Sequence, residues 1–189
     1  GDLGVTFSSP QAMDGIRTDI SLTLKDDVAN ASLEFEGIDA ARIATLDQRL
    51  VALAGLDMSF NGTINTKITL PDTIHSLAAD IKGGAGQFTY RDFYPVPLKL
   101  NSLDLQLSAD LPGKTMQVSS LDISLGDIAT PLKLHLNGAG KMVENAASLS
   151  LEAELQQLKA DEFDLYWPRS VALGARNWLV PNLKAGTVN

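Results

Sequence analysis

The chain has 189 residues, 44% apolar and 20% charged, a balance that excludes a disordered polymer and suits one large domain or two small ones. Its 23 acidic and 15 basic residues give a net charge of −8, which excludes the basic face of a nucleic-acid binder and disfavours docking on an anionic lipid surface. With no cysteine there is no disulfide framework or thiolate chemistry, and no apolar run approaches the roughly 18 residues of a membrane-crossing helix.

The chain opens Gly-Asp-Leu-Gly, without an initiator Met or a basic-then-apolar leader, and so reads as a piece of a longer protein whose membrane anchor or targeting signal lies elsewhere. From there, alternation of apolar and polar residues dominates. Ile20, Leu22 and Leu24 show it first, then Leu33 and Phe35. Residues 38–55 break the pattern: Ile43, Leu46, Leu50 and Leu53 have helical spacing, Asp39 is placed as N-cap and Gly55 as stop, predicting a helix of about 16 residues.

Residues 56–70 return to period two, with Leu56, Met58, Phe60, Ile64, Ile68 and Leu70 on one side and Asp57, Ser59, Asn61, Thr63, Asn65, Lys67 and Thr69 on the other. As one strand this stretch would run about 50 Å. Further strands are predicted at Leu77, Ala79 and Ile81; at Leu103, Leu105 and Leu107 through Leu111; at Leu132, Leu134 and Leu136; and at Leu149, Leu151 and Leu155. Parity switches between Leu98/Leu100 and Leu103/Leu105, which predicts a bulge or bend at Asn101 and Ser102. Gly83-Gly84 and residues 111–114 read as hairpin turns.

Near the C-terminus Val171, Ala175 and Trp178 fall on one helical face, with Ser170 as cap and Pro181 as terminator. A four-letter echo, Gly-Thr-Ile-Asn at 62–65 and Gly-Thr-Val-Asn at 186–189, follows each helix. It suggests a single domain over 1–189 with a helix-strand unit near 38–70 and the start of another near 169–189.

Half-buried alternation means antiparallel strands with one apolar face. Leaving a Leu or Ile in water costs on the order of 1.5 to 3 kcal/mol, so some thirty such residues must be covered. Helices of about 16 and 11 residues are too short to roof the sheet. Either the sheet fills its own interior, as a sandwich or barrel, or it curls into a trough whose floor a foreign apolar molecule covers.

Catalytic chemistry finds little footing. His75 and His135 stand alone without metal-ligand spacing, so no metal site is assigned. The glycines of 82–87 and 137–141 lack the P-loop pattern and read as turns, and there is no G-x-S-x-G elbow. The acid pairs Asp26/Asp27 and Asp161/Glu162 fall at a turn and a helix entry. The expectation is no enzyme activity and no cofactor.

Tyr166, Trp167 and Pro168, followed by Ala172, Ala175, Arg176, Trp178, Leu179, Asn182, Leu183 and Gly186, resemble the Trp-Pro…Ala-Arg-x-Trp-Leu…Asn-Leu…Gly signature of the AsmA-like family, YhdP type. Residues 37–70 are similar to that family's short Ala- and Leu-rich helix followed by strands; together the two segments cover about a third of the chain. The resemblance implies a periplasmic segment of an inner-membrane-anchored envelope protein of Gram-negative bacteria. It would be a mainly β fold of long antiparallel strands in a curled, groove-shaped (taco-like) sheet capped by two short α-helices.

The expected partners are phospholipid acyl chains and neighbouring β-groove repeats of the same chain, with lipid conducted between inner and outer membranes and no nucleic acid bound. The groove lining would be Leu56, Met58, Phe60, Ile64, Ile68, Leu70, Leu103, Leu105, Leu107, Leu132, Leu134, Leu136, Leu149 and Leu151. The motif residues Tyr166, Trp167, Pro168, Arg176, Trp178, Asn182 and Gly186 are expected to wedge a helix against the end of the sheet, Arg176 reaching Asp161, Glu162 or Asp164. The alternative is a self-contained β-sandwich, a structural or interaction module of a large envelope protein.

Overall fold

The computed structural model describes residues 2–13, 16–90, 92–94, 96–143, 146–170, 172–182 and 187–188. The alternating segments form β1 (Asp2–Met13), β2 (Ile16–Lys25), β3 (Val28–Asp39), β4 (Leu56–Asp57), β5 (Ser59–Thr69), β6 (Thr73–Gly83), β7 (Gly86–Phe88), β8 (Leu98–Asp110), β9 (Thr115–Leu125), β10 (Leu132–Val143) and β11 (Ala146–Gln156). Among the described residues these eleven pair into one antiparallel sheet in the order β1-β2-β3-β5-β6-β8-β9-β10-β11. The short β4 pairs with β7, and β7 with β8. The sheet is curled and not closed into a barrel, with β1 and β11 at its two edges. A separate two-stranded pair joins β12 (Leu158–Lys159) to β13 (Thr187–Val188).

Register turns period-two patterning into one apolar and one polar surface. Pairing partners align Ile20, Leu33, Ile64, Ala79, Leu107, Val118, Gly138 and Leu151 in a row crossing eight strands. One residue along, the row on the opposite face is Ser21, Ser32, Asn65, Ala78, Ser108, Gln117, Ala139 and Ser150. The strands therefore form a single layer with one apolar side, and they do not divide into the two packed layers of a sandwich.

Where the chain's own helix lies on that side a buried cluster forms, while Leu98, Leu132 and Leu158 are buried outside it. Phe35, Ala40, Met58, Phe60 and Leu100 make the buried cluster, ringed by partly buried Leu33, Ile38, Ile43, Leu56, Ile81, Phe88 and Leu103. Ala40 has no exposed surface, and its N–H donates to the Met58 carbonyl at 3.0 Å, which pins the helix start to the sheet.

The helix predicted over 38–55 is two pieces: α1 (Ala40–Ala44) and a tighter 3₁₀ segment at 48–55. The break follows from local competition for backbone groups. The Thr45 hydroxyl donates to the Arg42 carbonyl at 2.7 Å, and the N–H groups of Thr45 and Leu46 reach back only three residues, to Arg42 and Ile43. Asp39 occupies the N-cap position, but its carboxylate accepts from the Ser59 hydroxyl at 2.8 Å and makes no cap bond. Gly55 does end the segment: a Cβ there would meet the Thr89 carbonyl oxygen at 2.7 Å.

Two glycine readings are corrected. Gly83-Gly84 is no hairpin turn, because β6 and β7 run on along the same neighbour, Gly83 opposite Leu103 and Gly86 opposite Leu100. The break accommodates Met58: a Cβ on Gly83 would lie 2.4 Å from its Cε, and one on Gly86 2.6 Å from its Cβ. Met58 likewise divides the long strand expected over 56–70 into β4 and β5, and Leu70 falls beyond the end of β5. The glycines of 137–141 lie inside β10, where a Cβ on Gly138 would crowd the Leu151 side chain at 2.8 Å. The 111–114 turn joins β8 to β9, and the parity switch coincides with a register shift between Leu100 and Ser102.

Candidate functional site

The fourteen proposed lining residues divide by what already covers them. Met58 and Phe60 are each 5% exposed and belong to the core beneath α1, Leu132 is also buried, and half-buried Leu56 packs beside the core cluster. Ile64, Ile68, Leu103, Leu105, Leu107, Leu134 and Leu136 are half-buried. Leu149 is 66% exposed, Leu151 59% and the turn residue Leu70 47%. Apart from Leu70, which lies past its strand, and Met58, at the break between β4 and β5, the residues share the apolar register.

The apolar face thus passes from a roofed half under α1 to an unroofed half toward the hairpin ends and β11. Residues absent from the sequence-based lining extend it: Leu22, Leu24, Val118 and Leu121 are half-buried, while Ile20 (46%), Ile74 and Met116 are exposed. Except for Ile74, their signal was present as alternation in 20–24 and 116–125.

A hollow of about 740 Å³ does not coincide with the expected groove. Ten of its fifteen lining residues, including Ser76, Ser108, Gln117 and Ser150, belong to the polar register, with Leu77, Ala109, Met116, Gly140 and Leu149 completing the wall. It is a dip over the small residues at the hairpin ends of β6 and β8–β11.

The C-terminal motif is only partly a wedge. Ala160–Glu162 form a 3₁₀ turn, followed by α2 (Phe163–Tyr166) and α3 (Leu173–Asn182). The Tyr166 hydroxyl oxygen packs over Gly126, whose φ of +80° and tight surroundings leave no room for a side chain. The half-buried Trp167 ring lies 4.9 Å from that of Phe163, and Pro168 is half-buried beside it. Arg176 chooses Asp164 among the three expected acids. Its side chain is 18% exposed, and its Nε is buried with no hydrogen-bond partner among the described residues.

Trp178 is not part of a wedge. It is 67% exposed, and α3 buries none of its residues. The cause is patterning, since Leu173-Gly-Ala-Arg-Asn-Trp-Leu-Val-Pro-Asn182 carries no continuous apolar stripe. Tyr166 ends α2, α3 starts after Ala172 at φ +47°, and Ser170 therefore does not cap it. The Asn182 side-chain amide donates to the Trp178 carbonyl at 2.5 Å. Val171, Leu183 and Gly186 lie outside the described residues.

An aromatic group missed in the sequence reading sits by the same end. Phe88 stacks on Tyr90 at 6.0 Å and meets Tyr94 edge-on at 5.8 Å, Tyr90 lies 5.2 Å from Phe93, and the Arg169 N–H donates to the Phe93 carbonyl at 3.0 Å. Burial pushes the Tyr94 phenol above its ordinary value. Burial also raises Tyr166, the Glu162 carboxylate adds to the rise, and Lys159 opposes it.

His75 Nε2 lies 2.7 Å from the Thr69 hydroxyl and His135 Nδ1 2.7 Å from Asp122, each within a strand pair. Among the described residues no three His, Asp or Glu side chains converge as a metal-binding group. No family model, curated protein or solved structure matches the chain.

Proposed function

We propose that this chain is a non-enzymatic, periplasmic segment of an AsmA-like protein whose apolar sheet face binds or conducts phospholipid by burying acyl chains. The observation that supports this most is the row from Ile20 to Leu151, in which Leu33 and Ile64 pack against the cluster beneath α1 while Ile20 and Leu151 are exposed. A single layer has no second sheet to cover what is exposed, and a hydrocarbon tail supplies the missing cover without requiring a directional contact. The row from Ile20 to Leu151 carries no side-chain donor, so recognition rests on the tails. Transport would then be displacement along a surface of nearly uniform chemistry.

Native mass spectrometry and organic extraction of the purified chain test the reading. Phospholipid is expected to co-purify, with mixed acyl composition. A lipid-free, very stable monomer that takes up no phospholipid from vesicles would instead mark the chain as a spacer.

A further inference from the structure

Three methionines of this chain meet very different surroundings. Met58 is 5% exposed, a member of the cluster beneath α1 with its methyl lying across Gly83. Met116 in β9 and Met142 in β10 are 48% and 56% exposed, although both stand within strands of the sheet. Register explains why they are bare. Met116 lies between Ala109 of β8 and Gly140 of β10, and Met142 lies opposite Ala147 of β11. Neighbours that end at Cβ or before it cannot cover a thioether from the side.

The same register puts the two sulfurs in one patch. Gly140 is opposite Met116, and Met142 follows it by two residues, so the methionines are diagonal neighbours on the apolar face, about 7 to 8 Å apart. Leu149 stands directly across Gly140 from Met116, so the pair belongs to the unroofed half. The chain has no cysteine, the residue whose thiolate ordinarily intercepts a peroxide. A thioether is then the softest nucleophile left to react. Its lone pair attacks one peroxide oxygen, the O–O bond breaks, and the S–O bond of a sulfoxide forms. The departing hydroxide takes the proton of the attacked hydroxyl and leaves as water, sulfur being oxidised by two electrons and the peroxide reduced by two.

We infer that Met116 and Met142 form a paired oxidation site, at which a peroxide-class oxidant converts both to sulfoxide and closes this part of the face to acyl chains. A hydrocarbon tail offers a sulfoxide oxygen no hydrogen bond, so covering it carries the cost of an unsatisfied polar group. The change is reversible, because methionine sulfoxide reductases return the thioether. The selectivity of the site rests on exposure alone, and its effect on acyl chains rests on the lipid reading above.

The test treats the folded chain with dilute hydrogen peroxide and maps its peptides by mass spectrometry over time. Met116 and Met142 are expected to gain one oxygen each at least ~10-fold faster than Met58. Phospholipid taken up from vesicles, counted by native mass spectrometry, should fall at least ~10-fold on oxidation and return after treatment with the reductases. A Met116→Leu/Met142→Leu chain should keep its uptake through the same treatment, which separates these two sulfurs from every other oxidisable side chain. Equal oxidation of Met58 overturns the site. Unchanged uptake by a chain carrying both sulfoxides, or an equal loss in the leucine variant, overturns the closure while leaving the lipid reading intact. An untreated chain that takes up no phospholipid refutes the lipid reading and the closure together, and the peptide map still decides the site.

Discussion

The bare half of the apolar face can be charged without dismantling the core. Leu149 and Leu151 are 66% and 59% exposed, so only about a third of each side chain is already out of water. Full burial of a leucine is worth about 1.5 to 3 kcal/mol, which makes that third worth about 0.5 to 1 kcal/mol per residue. A Leu149→Glu/Leu151→Glu variant is therefore expected to lose about 1 to 2 kcal/mol of unfolding free energy and to remain folded. An acyl chain lying over the exposed two thirds would gain about 1 to 2 kcal/mol from each leucine, so losing both should weaken lipid occupancy by about 30- to 1,000-fold. Urea unfolding reports the first number, and native mass spectrometry after vesicle incubation reports the second. Retained lipid at wild-type occupancy would refute acyl coverage of this half. A stability loss above about 3 kcal/mol would show instead that these leucines are packed.

The roofed half should respond in the opposite way. Phe60→Ala empties the cluster beneath α1 and is expected to cost about 3 to 5 kcal/mol in chemical unfolding, so Phe60 is no probe of a lipid surface. Gly86→Ala drives a Cβ to 2.2 Å from the Asp57 carbonyl oxygen; the pairing of β4 with β7 should be lost, seen as faster amide exchange at residues 56, 57, 87 and 88 with the β1–β2 hairpin unchanged. Alkaline pH should destabilise the fold. Tyr94 and Tyr166 bind their protons more tightly folded than unfolded, so their contribution is complete below the ordinary tyrosine value of 10.0 and is lost as pH rises through the raised folded values. A Tyr94→Phe/Tyr166→Phe variant should flatten the fall in unfolding midpoint above that pH.

Strands were legible because their signal is carried by every second residue. Leu103, Leu105 and Leu107 announced β8 and its apolar side, and the register sets them opposite Ile123, Leu121 and Val118. Where the readings failed, a three-dimensional neighbour decided. Nothing local distinguishes a turn glycine from Gly83 or Gly138, which are small because Met58 and Leu151 on adjacent strands lie across them. The 38–55 segment has a helical period in its leucines, yet the Thr45 hydroxyl and Asp47, whose carbonyl accepts from the Leu50 N–H at 2.9 Å, redirect the backbone into tighter turns. Trp178 was misplaced because a bulky residue at helical spacing predicts burial only when a stripe accompanies it. The aromatic group at 88–94 carries no period and becomes visible only when the chain folds back on itself.

Those glycines also bear on what a one-layer sheet can do for itself. At the apolar surface a Cβ on Gly62 would meet the Phe35 ring at 3.1 Å, one on Gly83 the Phe60 ring at 3.0 Å, and one on Gly138 the Leu151 side chain at 2.8 Å. In each case a large side chain lies sideways over a neighbouring strand and hides some of its surface within the layer. Under α1 this is enough, because Phe35 and Phe60 end at 5% exposure. At β10 and β11 the same device operates without a roof, and Leu151 still shows 59% of its surface. The difference between those two outcomes is the helix, a cover of only five residues followed by a short 3₁₀ segment. Self-coverage within the layer therefore does not replace a second layer, and the surface it leaves bare is where an acyl chain would gain most from lying down.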